Sequence, residues 1–270
     1  MNADDFGLSP GVTRGILEAY AADVVSSVSV LVNAPGWGDA VTALQAAGSG
    51  LGVGLHLNLT VGAPVSAAPS LVDARTSCFP SLATLVARAL AGRIAAADVA
   101  TECAAQLDRL RAAGVNVTHI DSHRHVHVLP GVWPAVVATA RARGIRVVRL
   151  PLERLGPDPR YWRALPKRLA IAAAWRLAAR GIAPPHHADR FRGLSLQGGR
   201  GFRAGLLALL DRLPPGTTEL MVHPGHPDAA LAAWDGYTAP RAAELAVLTS
   251  SEVRERFRRG DFQLTHFGTI

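Results

Sequence analysis

The chain has 270 residues, 49% of them hydrophobic, and carries 28 Lys and Arg against 21 Asp and Glu for a formal charge of +7. That length and apolar content suit one α/β domain with a large core. Lys167 is the single lysine, so the basicity is arginine; no RNP, zinc-finger or helix-turn-helix pattern accompanies it, and no nucleic-acid partner is expected.

Strand-like and alanine-rich helical runs alternate along the chain. Ser9-Pro10 reads as an N-cap followed by proline at the first helical position, with Val12, Ile16, Leu17 and Tyr20 on the apolar face. A β-branched run at 24–32, a helix at 38–47 and a strand at 51–59 carrying His56, Asn58 and Thr60 near its end come next. A proline-containing loop at 62–80 leads to helices at 82–91 and 96–113. Val115, Val117 and Ile120 then open a histidine-rich strand. Beyond it lie a helix at 133–143, a strand at 145–150 ending in Arg149, Pro151 and Glu153, and a basic helical insertion at 157–185. A glycine-rich stretch at 189–205 reads as loop with a short strand, followed by a helix at 206–213, a strand at 219–222, one helix in the tail at 251–258 and a last strand at 262–266. This alternation predicts parallel strands with helices outside, a barrel or doubly wound sheet whose chemistry sits at the carboxyl ends of the strands. Cys78 and Cys103 lack CxxC spacing, no basic-then-apolar leader opens the chain, and no apolar stretch reaches roughly 20 residues. A cytoplasmic protein, soluble or at most peripheral on a membrane, is the expectation.

The polar residues delivered at the strand ends are of metal-binding types. Asp4 and Asp5 are adjacent, His56 closes one strand, and four of the ten histidines (His119, His123, His125, His127) fall within nine residues. A catalytic zinc-type site takes three protein ligands and leaves a place for water, and one carboxylate with two imidazoles supplies such a set. Neighbouring aspartates on an extended segment point to opposite faces, so both enter one site only where the strand end is distorted; one would then be ligand and the other base. The competing reading makes the pair a helix cap, a role for which Ser9 is better placed. An extended segment would put His123, His125 and His127 on one face, not all of them necessarily ligands; hydrogen-bonded core histidines are the alternative.

Taken in order, Asn2-Ala3-Asp4-Asp5-Phe6-Gly7, Gly54-Leu55-His56-Leu57-Asn58-Leu59-Thr60, the run from Thr118 to His127, and Glu219-Leu220-Met221-Val222-His223-Pro224-Gly225 resemble the four characteristic blocks of YdjC-like carbohydrate deacetylases, the group that includes the ChbG and HpnK proteins. The resemblance implies a single-domain, deformed TIM-like (β/α) barrel spanning 1–270 and metal-dependent removal of acetyl groups from N-acetylated sugars, chitooligosaccharide-like or lipid-linked. It implies one divalent metal, magnesium or zinc, on Asp5, His56 and His123, with Asp4 as base and His223 as general acid or substrate ligand. Asp121, His125 and His127 would support the ligands, and Asn58 and Arg149 join them as substrate-contacting or supporting residues. Family members carry a short apolar strand ahead of the Asn-Ala-Asp-Asp block. Here the block begins at residue 2, so the expectation is a truncated first strand or a start codon lying upstream, with fraying around Asp4 and Asp5.

Two other functions stay open on the sequence: a metallohydrolase of another amide or ester, and a non-catalytic sugar-binding barrel. Tyr161, Trp162, Arg163, Lys167, Arg168, Arg176 and Arg180, interleaved with Leu165, Leu169, Ile171, Trp175 and Leu177, form a basic stretch that would suit an anionic membrane; the alternative is a solvated helix packed on the barrel. The resemblance bears on this, because the HpnK branch is associated with hopanoid lipids. Trp175, Trp234 and Tyr237 are candidate sugar-stacking rings, and a homodimer is left open.

Overall fold

A computed structural model describes residues 1–154, 159–198 and 201–270. Among them, seven parallel strands lie in the order β5-β4-β3-β2-β1-β7-β6: β1 (Asn2–Phe6), β2 (Ser27–Val30), β3 (Gly52–Leu57), β4 (Val117–Ser122), β5 (Val147–Val148), β6 (Arg190–Arg192) and β7 (Thr218–Val222). Just ahead of β6 the chain reaches across to β5. The amide of His186 donates to the carbonyl of Arg146 at 3.1 Å, and that of Val148 to the carbonyl of His186 at 3.1 Å. One bridge therefore draws the two outer edges of the curled sheet together, giving the deformed α/β barrel expected from the sequence.

The first helix, α1 (Pro10–Ala21), starts where its signals place it: the Ser9 hydroxyl accepts from the Val12 amide, and Val12, Ile16 and Ala19 are buried. Around the barrel follow α2 (Trp37–Ala47), α3 (Leu82–Leu90), α4 (Ala96–Ala112), α5 (Trp133–Ala142), α6 (Leu165–Ala178) and α7 (Phe202–Leu210). The strands are buried nearly throughout, as the central strands of a parallel sheet covered by helices must be. Gly54 marks a close approach inside the barrel. A Cβ there would lie 2.3 Å from the ring of His119, so only glycine leaves room for that buried imidazole.

Four expectations need correction. Residues 2–6 are not a frayed remnant: they form β1, hydrogen-bonded between β2 and β7 and fully buried, so Asp4 and Asp5 sit on a central strand. The tail holds two further helices, α8 (Ala229–Trp234) and α9 (Ala239–Leu248), ahead of α10 (Ser251–Arg258). Residues 262–266 form no strand, because Phe262 packs edge-on against Phe257 at 5.0 Å instead of entering the sheet. After β4 the chain does not stay extended. It tightens into a 3-10 turn, His123–Val128, with Arg124 (φ 58°, ψ 20°) and His125 (φ 56°, ψ 29°) left-handed. Of the predicted insertion, 157–158 and the side chain of Tyr161 lie outside the described residues; its centre is α6.

Candidate metal centre

Asp4 and Asp5 reach the same cavity because β1 is irregular. Its register against β2 runs Ala3 to Val28 and then Phe6 to Val30, one residue too many on β1, and Asp5 takes φ +70° within that bulge. Aspartate is among the few non-glycine residues that enter the left-handed region readily. The distortion that two neighbouring carboxylates require is thus built into the strand end. Both line a cavity of about 760 Å³ at the carboxyl ends of the strands, together with His56, His123, His125, His223, Tyr237 and Arg241.

Asp5 Oδ1 lies 2.8 Å from Nδ1 of His123 and 3.2 Å from Nε2 of His56. All three residues are buried, and one ligand atom from each falls within 4.8 Å of the others. His56 is oriented from behind, since its Nδ1 pairs with Asp121 Oδ1 at 2.8 Å and leaves Nε2 to face Asp5. His123 Nε2 is buried without a partner. Burial works against a charge on His56, but Asp121 and Asp4 outweigh it and hold its pKa up at about 10. Burial likewise opposes ionisation of Asp5, yet Arg241 and His123 keep its carboxyl well below the usual range.

Asp4, His56 and Asp121 form a second set of convergent donors, but a cation already occupies that place. Arg149, fully buried, donates to both oxygens of Asp4 at 2.6 and 2.7 Å, lies 2.7 Å from Asp121 Oδ2 and binds Glu219 through Nε at 2.7 Å. The donor set of Asp5, His56 and His123, without any such guanidinium between its members, is the one that fits a divalent cation. Behind it, the Ser29 hydroxyl donates to Asp121 Oδ2 at 2.7 Å and accepts from Asn2 Nδ2, which also donates to Asp4 Oδ1 at 2.8 Å.

The other predicted residues divide. His125 lines the cavity with Nδ1 unpartnered, and burial depresses its pKa strongly. His223 also borders the cavity; burial lowers its pKa to about 4, so it is neutral near pH 7, and its Nε2 lies 3.4 Å from the Gln197 amide nitrogen. His127 lies outside the cavity lining, its ring spanning the Ser122 hydroxyl and the Arg149 carbonyl. Asn58 also stands apart: it ties the loop after β3 through Thr60, Val61 and Asn33. Sequence reading missed Arg241, which donates to Asp5 Oδ2 at 2.6 Å, and Glu244, which takes the His223 amide at 2.7 Å and the Tyr237 hydroxyl at 2.5 Å. Tyr237 lies just ahead of α9 and only Arg241 and Glu244 lie within it, so no spacing in the sequence singles the three out. Trp175 and Trp234 do not line the cavity, whereas Tyr237 does.

These features define a parallel α/β barrel with a buried aspartate–imidazole cluster at its strand ends. The YdjC-like protein family matches residues 1–259, and the chain belongs to it. Over 268 residues it is 35% identical to a carbohydrate deacetylase of Geobacillus stearothermophilus, covering 98% of this chain and 95% of the relative. It is 34% identical over 276 residues to a chitooligosaccharide deacetylase of Yersinia pestis bv. Antiqua, covering 99% and 96%. A crystal structure of an Enterococcus faecalis protein, provisionally described as a cellobiose-phosphate cleavage protein, superposes with a TM-score of 0.76 at 26% identity, covering 99% of this chain and 96% of that one.

Proposed function

We propose that the protein is a metal-dependent hydrolase that removes the N-acetyl group from an N-acetylhexosamine-containing carbohydrate and releases acetate. The observation that carries this reading is the convergence of Asp5, His56 and His123 with Asp4 beside them in one cavity, in a family whose relatives are carbohydrate deacetylases. A divalent cation on those three residues, magnesium or zinc, would supply Lewis acidity toward the acetamide oxygen and a water molecule. Asp4 is the base. Its Oδ1 is filled by Asn2 and Arg149, but Oδ2 accepts only from Arg149 Nη1 and keeps a lone pair for a water proton. His223 starts neutral and gives a proton to the leaving amine only after receiving one, so the proton passes from water through Asp4 to the amine side. Acetate release from N-acetylglucosamine oligomers, abolished by a chelator and restored by added metal, is the expected result. Chelator-resistant release removes the metal from the mechanism, and binding without release leaves a sugar-binding barrel.

The cavity wall favours the lipid-linked substrate over the soluble oligosaccharide. Leu82, Val86 and Leu90 of α3 and Ile171, Ala174 and Leu177 of α6 line it with no group for a sugar hydroxyl. Leu90 and Leu177, which line the cavity, are nonetheless 61% and 46% exposed. Apolar side chains concentrated at one mouth mark a surface that something apolar covers, and a peripheral membrane contact would bury the same residues. Lys167, by contrast, turns to the cavity and donates to Gln197 Oε1 at 2.6 Å. A long-chain alkyl N-acetylglucosaminide is expected to exceed N,N′-diacetylchitobiose in kcat/KM by more than about tenfold, as several buried methylenes would give. Leu177→Asp should erase that preference while leaving diacetylchitobiose turnover in place; equal kcat/KM for the two substrates in the unaltered protein would instead favour the oligosaccharide.

A further inference from the structure

The geometry points to Arg241 as the residue that makes Asp5 a one-oxygen ligand, and so keeps the metal centre open. Arg241 is fully buried at the start of α9. Its Nη2 donates to Asp5 Oδ2 at 2.6 Å and to Asp235 Oδ2 at 2.8 Å, its Nε donates to the Tyr237 carbonyl at 2.8 Å, and its guanidinium lies over the Tyr237 ring at 5.4 Å. The guanidinium is thus braced from three sides and presented to one carboxylate oxygen. The other, Oδ1, is the atom that both imidazoles approach.

A carboxylate that is free to rotate in a buried site can chelate a cation through both oxygens, taking two coordination positions and adding affinity. With Oδ2 held by a guanidinium, only Oδ1 is available, and the position saved falls to water or substrate. The fixed positive charge also weakens the pull of the site on a cation. Arg241 therefore acts opposite to Asp121, whose acceptor oxygen strengthens His56 as a donor. Affinity is given up and an open coordination position is gained.

The inference rests on the reading that Asp5, His56 and His123 hold the metal, and His123→Ala tests that separately. Zinc alone is titrated against a chromophoric chelator into the full-length protein, Arg241→Gln, Arg241→Lys and His123→Ala, each first shown folded by circular dichroism. Arg241→Gln is expected to bind zinc on the order of tenfold more tightly than the unaltered protein, from the loss of one nearby positive charge. X-ray absorption of its zinc complex should show a chelating carboxylate and fewer light ligands from solvent, while kcat falls more than KM rises. Arg241→Lys keeps the charge but not the planar fork, so a smaller gain of about two- to fivefold is expected, and it carries the test alone if Arg241→Gln does not fold. Unchanged or weaker zinc binding in the folded variants overturns the role of Arg241. A rise in KM with zinc affinity unchanged would also overturn it, and would assign the buried, unpartnered Nη1 to a substrate oxygen instead. Zinc binding indifferent to His123→Ala would overturn the ligand set itself.

Discussion

Asp4→Asn is expected to leave zinc affinity within about tenfold of the parent and to cut acetate release by about 100- to 10,000-fold, the range a positioned general base contributes. The amide oxygen keeps the bonds from Asn2 and Arg149 Nη2, while the amide nitrogen replaces Oδ2 and gives up the bond from Arg149 Nη1, so the buried network is partly disturbed. What it lacks is the basic lone pair on Oδ2. His123→Ala should behave differently: with one of three convergent donors gone, zinc affinity is expected to drop more than about 100-fold, beyond what losing a supporting partner costs. Metal content by inductively coupled plasma spectrometry on both variants, next to acetate release at saturating zinc, separates base from ligand. Full activity in Asp4→Asn would remove the base assignment.

The site was legible where residue type alone announces chemistry. Asp4, Asp5, His56 and His123 are acids and imidazoles at strand ends; ligand atoms of Asp5, His56 and His123 converge within 4.8 Å, and Asp4 lines the same cavity. The sequence did not show how the two aspartates share a face, because that depends on one extra residue in the β1–β2 register and a positive φ at Asp5. Arg241 was invisible for another reason. It follows Pro240 in a tail that carries no motif, and it acquires a role only when α9 packs against α1 and brings the guanidinium to Asp5. His127 and Asn58 carried the right chemistry in the right blocks, yet their polar atoms are consumed in holding the Arg149 carbonyl and the loop after β3.

The fold divides in the same way. Helices with caps and periodic apolar faces, such as α1 and α3, fall within a residue or two of their expected bounds. The two tail helices had readable starts: Asp228 caps α8 by accepting from the Leu231 amide, and Pro240 stands in the first turn of α9. A single turn and a half of alanine-rich α8 offers little periodicity to read. β1 is the reverse case, since a segment with three polar residues in five has no apolar alternation. It is a central strand because Asn2, Asp4 and Asp5 find partners in Ser29, Arg149 and Arg241 inside the barrel.

Arg149→Met is expected to lower stability by about 3 to 5 kcal/mol, the usual cost of removing one partner from a buried charged network, and so to lower the melting temperature on the order of 10 °C. Arg149 is the common counter-ion of Asp4, Asp121 and Glu219, and all four side chains are buried. Burial is the largest influence on the Asp121 carboxyl and would raise its pKa, but Arg149 and His56 overcome it and depress it strongly. Even with Arg149 present, burial carries Glu219 up to about 7. Methionine fills the space without the charge, so Glu219 loses the influence that opposes burial and rises further above its unfolded value, while Asp121 is left with His56 against burial. The unfolded chain then binds fewer protons than the folded one between about pH 4 and 7, and stability falls as pH rises through that window. In the parent, the raised Glu219 gives a weaker fall of the same sign in that window, while the depressed carboxyls of Asp5 and Asp121 contribute stability above the unfolded value that is lost only on strong acidification. Thermal melts of the metal-free proteins at pH 5 and pH 8 should therefore show a larger loss of melting temperature on going to pH 8 in Arg149→Met than in the parent. A variant that melts within 2 to 3 °C of the parent at both values, a shift worth about 1 kcal/mol, would mean that the three acids find other partners and that Arg149 is not what holds this end of the barrel together.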